Sequence, residues 1–528
     1  MAGIGFELNK MIQADRLSTN LRGFLHAAVI AAGPWLLTCV ALALMQSLVH
    51  DKVNPAAMLR FDSVAVLAFS ISLVVAGPWV LVVSRSLADA VYGHDVRQVS
   101  SMLLAALARV FAWLAPIGLV VFGVVTQLPA VDRMLGFLLL MACGGVWVVA
   151  GMLSALRSHG TVTLAFAGGV AVALLVARGT VGAWQEAGML GGLLLGQAVI
   201  FFVLAARLMA EFPSVDGPPR SLGSLPPRPW TGDFVSQEAG PPSERPGSRP
   251  RRDDAALAFD LGAATRRFHH LAWAGFLYYA GLWIDKWLMW LAPGAERAGR
   301  GVWSHPTYEG AMFLAFLTIV PVLAIFLVDV ETRFHRAYQR WFRAIDRRAT
   351  LRGIRRNHGA IVRITASSFK RLALVQATIA LIAILASPAV VAWAGGSWEM
   401  ASVFRFGVLG ASFHVLLVIA MAALAYFDQR GWLLVVAATF FGLNLLLTLV
   451  GIALGTAFHG WGYATAALLS FALAYYAAAR SIAKLPFMTF IGTNASVRER
   501  GAAPEAPPRV QPRRPASVLA GGAVNRPT

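Results

Sequence analysis

Two adjacent residues of opposite charge, Asp285 and Lys286, lie inside an aromatic and apolar run, Tyr278-Tyr279-Ala280-Gly281-Leu282-Trp283-Ile284-Asp285-Lys286-Trp287. Charges at the depth such a run implies are costly and normally face a polar cavity or a partner. Neighbours on a helix point roughly 100° apart, so the two are expected not to neutralise each other fully. At least one of them must then meet another segment. Glu309 and Arg405, near the same end of their own apolar runs, are the expected partners. The competing reading has both charges snorkelling to an interface among the tryptophans.

Other polar groups fall at similar depth. Tyr308-Glu309 opens an apolar run that has Pro321 at its middle and Asp329 and Glu331 at its close. These carboxylates could meet a polar or cationic solute, or they could cap the helix and pair with the arginines that follow. Arg109, Gln197, His414 and Asn444 each read first as helix-to-helix hydrogen-bonding groups. The tripeptide Gly-Pro-Trp occurs twice, as Gly33-Pro34-Trp35 and Gly77-Pro78-Trp79. Proline removes a backbone hydrogen bond and glycine lets a bend form, so Gly33, Pro34, Gly77, Pro78 and Pro321 are candidate gating kinks. Ordinary packing irregularity is the alternative.

Enzyme chemistry finds no support in the motifs. There is no GxxxxGK[ST] phosphate loop, no HExxH and no CxxC pair. Gln339-Arg340-Trp341 approaches the QxxRW of processive glycosyltransferases, but Ala337 stands where the glutamine is needed. Asp253-Asp254 lies in a Pro/Arg-rich stretch with no nucleotide-binding pattern around it. Cys39 and Cys143 sit in apolar blocks and read as small buried hydrophobes. The chain is therefore expected to be no enzyme, with no cofactor and no metal.

The elements that position these residues are membrane helices. The 528 residues are 58% hydrophobic and only 13% charged, about half the charged fraction of a soluble protein. The apolar residues come in blocks long enough to span a bilayer, where only a helix satisfies its own backbone. Twelve spans are expected, at 23–49, 63–83, 104–126, 134–155, 161–178, 188–208, 268–291, 309–330, 371–394, 402–427, 432–455 and 461–480. The first block is too long to be a cleaved signal.

Lysines and arginines concentrate on alternate loops, including Lys10, Arg16 and Arg22 before the first span and Lys484, Arg498 and Arg500 after the last. Acids such as Asp51, Asp62, Asp132, Glu186, Glu296 and Glu399 offset the basic residues on the other side. By the positive-inside rule both termini are cytoplasmic. The formal charge of +19 thus reads as topology and anionic lipid, not nucleic acid.

The expected organisation is an N-terminal bundle at 1–211, a disordered Pro/Arg-rich linker at 212–262, a C-terminal bundle at 263–494 and a disordered tail at 495–528. Within 331–371, Phe334, Tyr338, Trp341, Phe342 and Ile345 recur at helical spacing among many arginines. That pattern predicts a basic amphipathic helix on the membrane surface or a docking surface for a partner, with Arg336, Arg340, Arg343 and Arg347 on its polar face.

Several of these motifs carry a family likeness. Met1-Ala2-Gly3-Ile4-Gly5-Phe6-Glu7-Leu8, the first Gly-Pro-Trp, Trp283-Ile284-Asp285-Lys286-Trp287, and the run from Met312 to Pro321 followed by Val330-Glu331-Thr332 resemble the PelG family. Leu485-Pro486-Phe487-Met488-Thr489-Phe490 looks like its closing motif. The sequence departs from the family pattern at Asn9, at Glu309, over Ile491-Gly492-Thr493-Asn494 and in its longer linker at 212–262.

The resemblance implies a polysaccharide-transporter branch of the flippases that include lipid-linked oligosaccharide and drug exporters. It implies two six-helix bundles around a central cavity in the bacterial inner membrane. It also implies companion proteins PelD and PelE, the glycosyltransferase PelF, and an amino-sugar-rich polymer moved from cytoplasm to periplasm. On that reading Asp285, Lys286, Glu309 and Arg405 line or brace the path, and Tyr278, Tyr279 and Trp283 stack on sugar faces. The alternatives are a cation-coupled flippase of lipid-linked oligosaccharide or small molecules, and a scaffold that only anchors a glycosyltransferase.

Overall fold

Asn54 and Pro55 start the first long helix that can be followed from end to end. The Asn54 side chain accepts hydrogen bonds from the amides of Ala56 and Ala57, at 2.7 and 3.1 Å, and proline sits at the first helical position. The computed structural model describes residue 38 and residues 41–92, 98–155, 159–212, 259–329 and 333–490. The opening octapeptide, Gly33, Pro34, Cys39, Glu331, most of the 212–262 linker and the tail lie outside the described residues.

In the first half, helical residues 41–49 precede α1 (Pro55–Tyr92). Next come α2 (Val99–Gly118), which continues as a π-helical stretch over Leu119–Val125, then α3 (Ala130–Ala155) and α4 (His159–Glu211). Helix α1 begins eight residues before the expected span at 63–83. Asp62, expected in a loop, therefore lies two turns inside a helix. The α1 helix also runs unbroken through Pro78.

Helix α4 is two spans. Gln185 (φ 46°, ψ −124°) reverses the chain between them. The two arms pack backbone to backbone through small residues, since a Cβ on Gly169 would lie 2.6 Å from the Gly196 carbonyl oxygen. Glu186, just after the turn, forms an ion pair with Arg60 of α1 at 2.5 Å.

The second half begins with α5 (Leu261–Arg267). Asp260 caps it by accepting from the Ala263 amide, which holds the carboxyl below its usual range. Helix α6 (His269–Met289) leads into a hairpin of β1 (Glu296–Gly299) and β2 (Val302–Ser304) that the apolar pattern did not reveal. The hairpin reaches the first half, where the Gln127 amide donates to the Arg300 carbonyl at 2.8 Å. The eighth span is two helices, α7 (Pro306–Leu317) and α8 (Val320–Asp329), with Pro321 in the first turn of the second. Next are α9 (His335–Asp346), α10 (Leu351–Leu385), α11 (Ser387–Trp393), α12 (Trp398–Tyr426), α13 (Arg430–Leu454) and α14 (Trp461–Ala483). Residues 484–490, with α15 (Leu485–Phe490), belong to a separate small unit.

Among the described residues, nine helices are long and apolar enough to cross a membrane. One of these is the folded α4, which counts twice. Helix α6 is a further span, which its charged pair makes less apolar, and residues 41–49 end the first. The chain is thus an all-α polytopic membrane protein with the twelve-span plan expected.

The apolar cores follow the two halves. One runs from Met45 to Phe212 and extends onto Leu261, Phe268 and the hairpin's Ala298 and Val302. The others lie within residues 274–478. The halves meet where α1 crosses α6 at Gly77 and Gly275; a side chain on Gly77 would run into the Tyr279 ring, and one on Gly275 into the backbone of Gly77. A Cβ on Gly275 would sit 2.9 Å from the Gly77 carbonyl oxygen.

The segment 331–371 departs from its expected form. Helix α9 holds only twelve residues of it. The remainder is the first turns of α10, one continuous 35-residue helix that also forms the ninth span. The apolar face of α9 does not lie open to the bilayer. Trp341 is fully buried, and Phe334 and Tyr338 pack edge-on against Tyr426 at the end of α12, with ring centroids 4.8 and 4.9 Å apart. An amphipathic helix buries its stripe on the nearest apolar surface, and here that surface is protein. Arg336, Arg340, Arg343 and Arg347 point outward.

The adjacent glycines of α4 should respond oppositely to one methyl group. Gly168 faces open space, so Gly168→Ala should raise stability by up to about 1 kcal/mol. Gly169→Ala should lower it by about 1–3 kcal/mol through overpacking. Thermal unfolding of the detergent-purified protein reads both signs.

Candidate functional site

Helix α6 has two working faces. Tyr279, Trp283, Trp287 and Trp290 follow one another at spacings of four, four and three, which places them in one stripe. The contacts of this stripe lie largely toward the first half. Tyr279 packs over Gly77, and the Trp287 indole donates to the Ser70 hydroxyl of α1 at 3.3 Å. At the end of the stripe the Trp290 indole donates to Glu309 at 2.5 Å. The opposite face carries Tyr278, Gly281 and Asp285 into the second bundle.

Asp285 is the centre of that second face. Its side chain is fully buried, where a lone carboxylate would cost several kcal/mol. Three groups compensate. The Tyr308 hydroxyl of α7 donates at 2.7 Å, the Lys286 ammonium at 3.0 and 3.2 Å, and the Asn444 amide of α13 at 3.4 Å. Asn444 also donates to the Gly281 carbonyl at 2.8 Å and accepts from Thr448 at 3.1 Å, so its amide is held on both sides.

The direct Asp285–Lys286 pair corrects the sequence expectation. The Cβ directions diverge, but the four-carbon lysine stem folds back and brings the ammonium to the carboxylate. Lys286 further donates to the Leu282 carbonyl at 3.1 Å. It lies 5.5 to 5.8 Å from the ring centroids of Tyr463, Phe316 and Trp283, within cation–π range.

Beside this pair, the Tyr278 hydroxyl and His414 Nε2 are 3.0 Å apart, and the His414 ring sits among Tyr278, Phe316, Phe440 and Tyr463. Tyr463 is fully buried and its hydroxyl has no protein partner among the described residues. The cluster thus joins α6, α7, α12, α13 and α14.

The other expected members lie elsewhere. Arg405 donates to the Ser387 hydroxyl at 2.7 Å and ties α12 to the α10–α11 junction, so it is no partner of Asp285. Glu309 caps the start of α7. It accepts from Trp290, from the Ser304 hydroxyl at 3.0 Å and from the His305 amide at 3.3 Å. Asp62 of α1 accepts from Gln46 at 2.7 Å. Sequence reasoning passed over Asp62 as a loop acid. The apolar run that begins at Pro55, ahead of it, was the signal that could have placed it in a span. In the second Gly-Pro-Trp, Trp79 holds the Arg109 guanidinium over its ring at 5.4 Å.

This architecture, two helical halves joined at a polar and aromatic crossing, is that of a multi-pass transporter. Solved structures with the same fold include a MATE transporter in a bent conformation (12% identity, 93% of this chain and 100% of the other, TM-score 0.56). A MOP-superfamily transporter of Pyrococcus furiosus is similar at 12% identity over 88% of this chain and 96% of that one, with TM-score 0.56. An inward-facing multidrug-resistance MATE transporter follows at 11% identity, 92% and 99% coverage and TM-score 0.51. No curated protein matches this chain in a sequence search.

The narrower identity comes from a family model. The PelG model, described as "Putative exopolysaccharide Exporter (EPS-E)", matches residues 1–222 and 251–490. The chain belongs to the PelG exopolysaccharide exporter family and is a membrane transporter of exopolysaccharide.

The buried pair should behave as a unit. Lys286→Met leaves the Asp285 charge without its counter-ion and should cost about 3–5 kcal/mol. Adding Asp285→Asn should recover part of that loss. A double-mutant cycle by thermal unfolding measures the coupling, and additive losses would contradict the pairing.

Proposed function

We propose that this protein moves a Pel-type, amino-sugar-rich polymer from cytoplasm to periplasm across the bacterial inner membrane, with both termini cytoplasmic. The observation that carries this reading is the aromatic stripe of α6 at the junction of the halves, with the Glu309 carboxylate bonded to Trp290 at one end of it. Flat indole and phenol faces suit sugar rings, and carboxylates suit units that carry free amines. The halves at 1–211 and 263–494 rock about the α1–α6 crossing, with Gly77, Pro78 and Pro321 absorbing the bend.

In this scheme the residues divide into two groups. Tyr279, Trp283, Glu309 and Asp62 contact the polymer. Asp285, Lys286, Tyr278 and Arg405 brace the second bundle behind the path. The outward arginines of α9, Arg336, Arg340, Arg343 and Arg347, face the cytoplasm as a docking surface for the glycosyltransferase PelF, and PelD and PelE complete the assembly.

Vesicles that contain the full assembly and synthesise polymer test the scheme. Glu309→Gln combined with Asp62→Asn should reduce polymer translocation at least about tenfold while the amount of membrane-inserted protein stays constant. Unchanged translocation in that variant would remove both carboxylates from the path. Loss of translocation only on charge reversal of α9 would instead favour the scaffold.

A further inference from the structure

The β1–β2 hairpin belongs to the second half at its base and to the first half at its tip. The base is fixed to α6 and α7. Ala292, ahead of β1, is buried in the core of the second half. His305, which follows β2, caps α7 by accepting from the Tyr308 amide at Nδ1. Its Nε2 therefore carries the proton and donates to the Pro293 carbonyl at 3.1 Å, which ties the two ends of the hairpin together. Glu309 accepts from both the Trp290 indole at the end of α6 and the Ser304 hydroxyl at the end of β2. Across the strands, the Arg297 guanidinium lies 4.6 Å from the Trp303 ring centroid.

The tip is seated in the first half. Gln127 and Arg300 form an antiparallel bridge, with the Gln127 amide donating to the Arg300 carbonyl at 2.8 Å and the Arg300 guanidinium reaching Gln127 Oε1 at 3.5 Å. Gly301 (φ 76°) lies so near that a Cβ there would collide with the Val125 carbonyl oxygen. A Cβ on Gly299 would sit 2.6 Å from the buried Leu128 side chain. Ala298 and Val302 are buried in the first-half core. The groups that hold the tip are thus small and apolar, or, at Gln127 and Arg300, exposed.

A base fixed to one half and a tip seated in the other cannot both survive a movement between the halves. From the crossing at Gly275 to the end of α6 at Met289 is about 14 residues, roughly 20 Å of helix. A rotation of about 15° at the crossing would carry the hairpin roughly 5 Å, well beyond the reach of the Gln127–Arg300 hydrogen bond. The tip is the end that gives way. It is attached by one backbone bond, one long side-chain bond and small apolar groups. The base is continuous with α6 and α7 and is cross-tied through His305 and Glu309.

We infer that the hairpin is a latch on the seam between the halves: it is carried by the second half, it closes its end of the seam by docking on residues 125–128, and it leaves them when the halves part there. The inference rests on the rocking of the halves proposed above and names the contact that this motion must break.

Locking the latch tests it, in vesicles that contain the full assembly. Gln127→Cys and Arg300→Cys, placed in protein carrying Cys39→Ser and Cys143→Ser, face each other across an antiparallel bridge and lie within disulfide reach. Oxidation with copper phenanthroline should join them almost completely and lower polymer translocation at least about tenfold, and dithiothreitol should restore it. Arg297→Cys with Trp303→Cys, joined inside the hairpin, should leave translocation unchanged. A second measurement needs no polymer. In detergent-purified protein, Leu128→Cys should react with a maleimide at least about fivefold faster when Gly301→Ala lifts the tip away. Size-exclusion chromatography checks that each variant is folded, and if Gly301→Ala is not, the crosslink decides alone. Failure of Gln127→Cys and Arg300→Cys to join, full translocation by the joined protein, or equal labelling of Leu128→Cys with and without Gly301→Ala would overturn the latch. Absence of translocation before oxidation would count against the polymer reading instead, and the labelling would then decide the latch.

Discussion

A carboxylate cannot sit unpaired inside a membrane bundle, and Asp285 sits there with no exposed surface. Much of the second half is arranged around that constraint. Lys286 supplies charge from the next residue, Tyr308 donates a short hydrogen bond from α7, and Asn444 reaches in from α13. Each donor is itself held. Asn444 is fixed by Gly281 and Thr448, and Lys286 by the Leu282 carbonyl and three aromatic rings. Fixing one charge in this way therefore fixes the rotation of α6 about its own axis.

That rotation decides what the rest of the molecule meets. With Asp285 turned into its own bundle, Tyr279, Trp283 and Trp287 must lie on the side that crosses α1. The crossing is close only because Gly77 and Gly275 carry no side chains. The polar anchor on one face of α6 and the aromatic stripe on the other are thus a single arrangement. If the halves rock as proposed, a fixed α6 keeps the stripe in place, whereas a helix free to rotate would lose it.

Much of this was legible in the sequence, for identifiable reasons. Charges within apolar runs are rare, so Asp285 and Lys286 announced themselves, and the length of the apolar blocks gave the helical fold. Partners were less legible. Tyr308, Asn444 and Tyr463 are ordinary residues of membrane helices, and only the packing of α7, α13 and α14 brings them to one point. The direct pairing of Asp285 with Lys286 was hidden because reasoning from Cβ directions ignores the reach of a lysine stem. Arg405 and Glu309 looked like partners by their depth alone. Depth does not fix azimuth, and the structure gives them to Ser387 and Trp290 instead. The stripe of α9 was read correctly as amphipathic, but periodicity cannot say whether lipid or Tyr426 covers it.

The seam between α1 and α6 as the polymer's route is the central claim, and chemical protection tests it most directly. Trp283→Cys and Trp287→Cys would be introduced one at a time into protein carrying Cys39→Ser and Cys143→Ser, and labelled with a membrane-impermeant maleimide in vesicles with polymer synthesis running or halted. Labelling at both positions should fall severalfold when polymer is being made and recover when synthesis stops. Equal labelling in the two conditions would contradict the seam as the route.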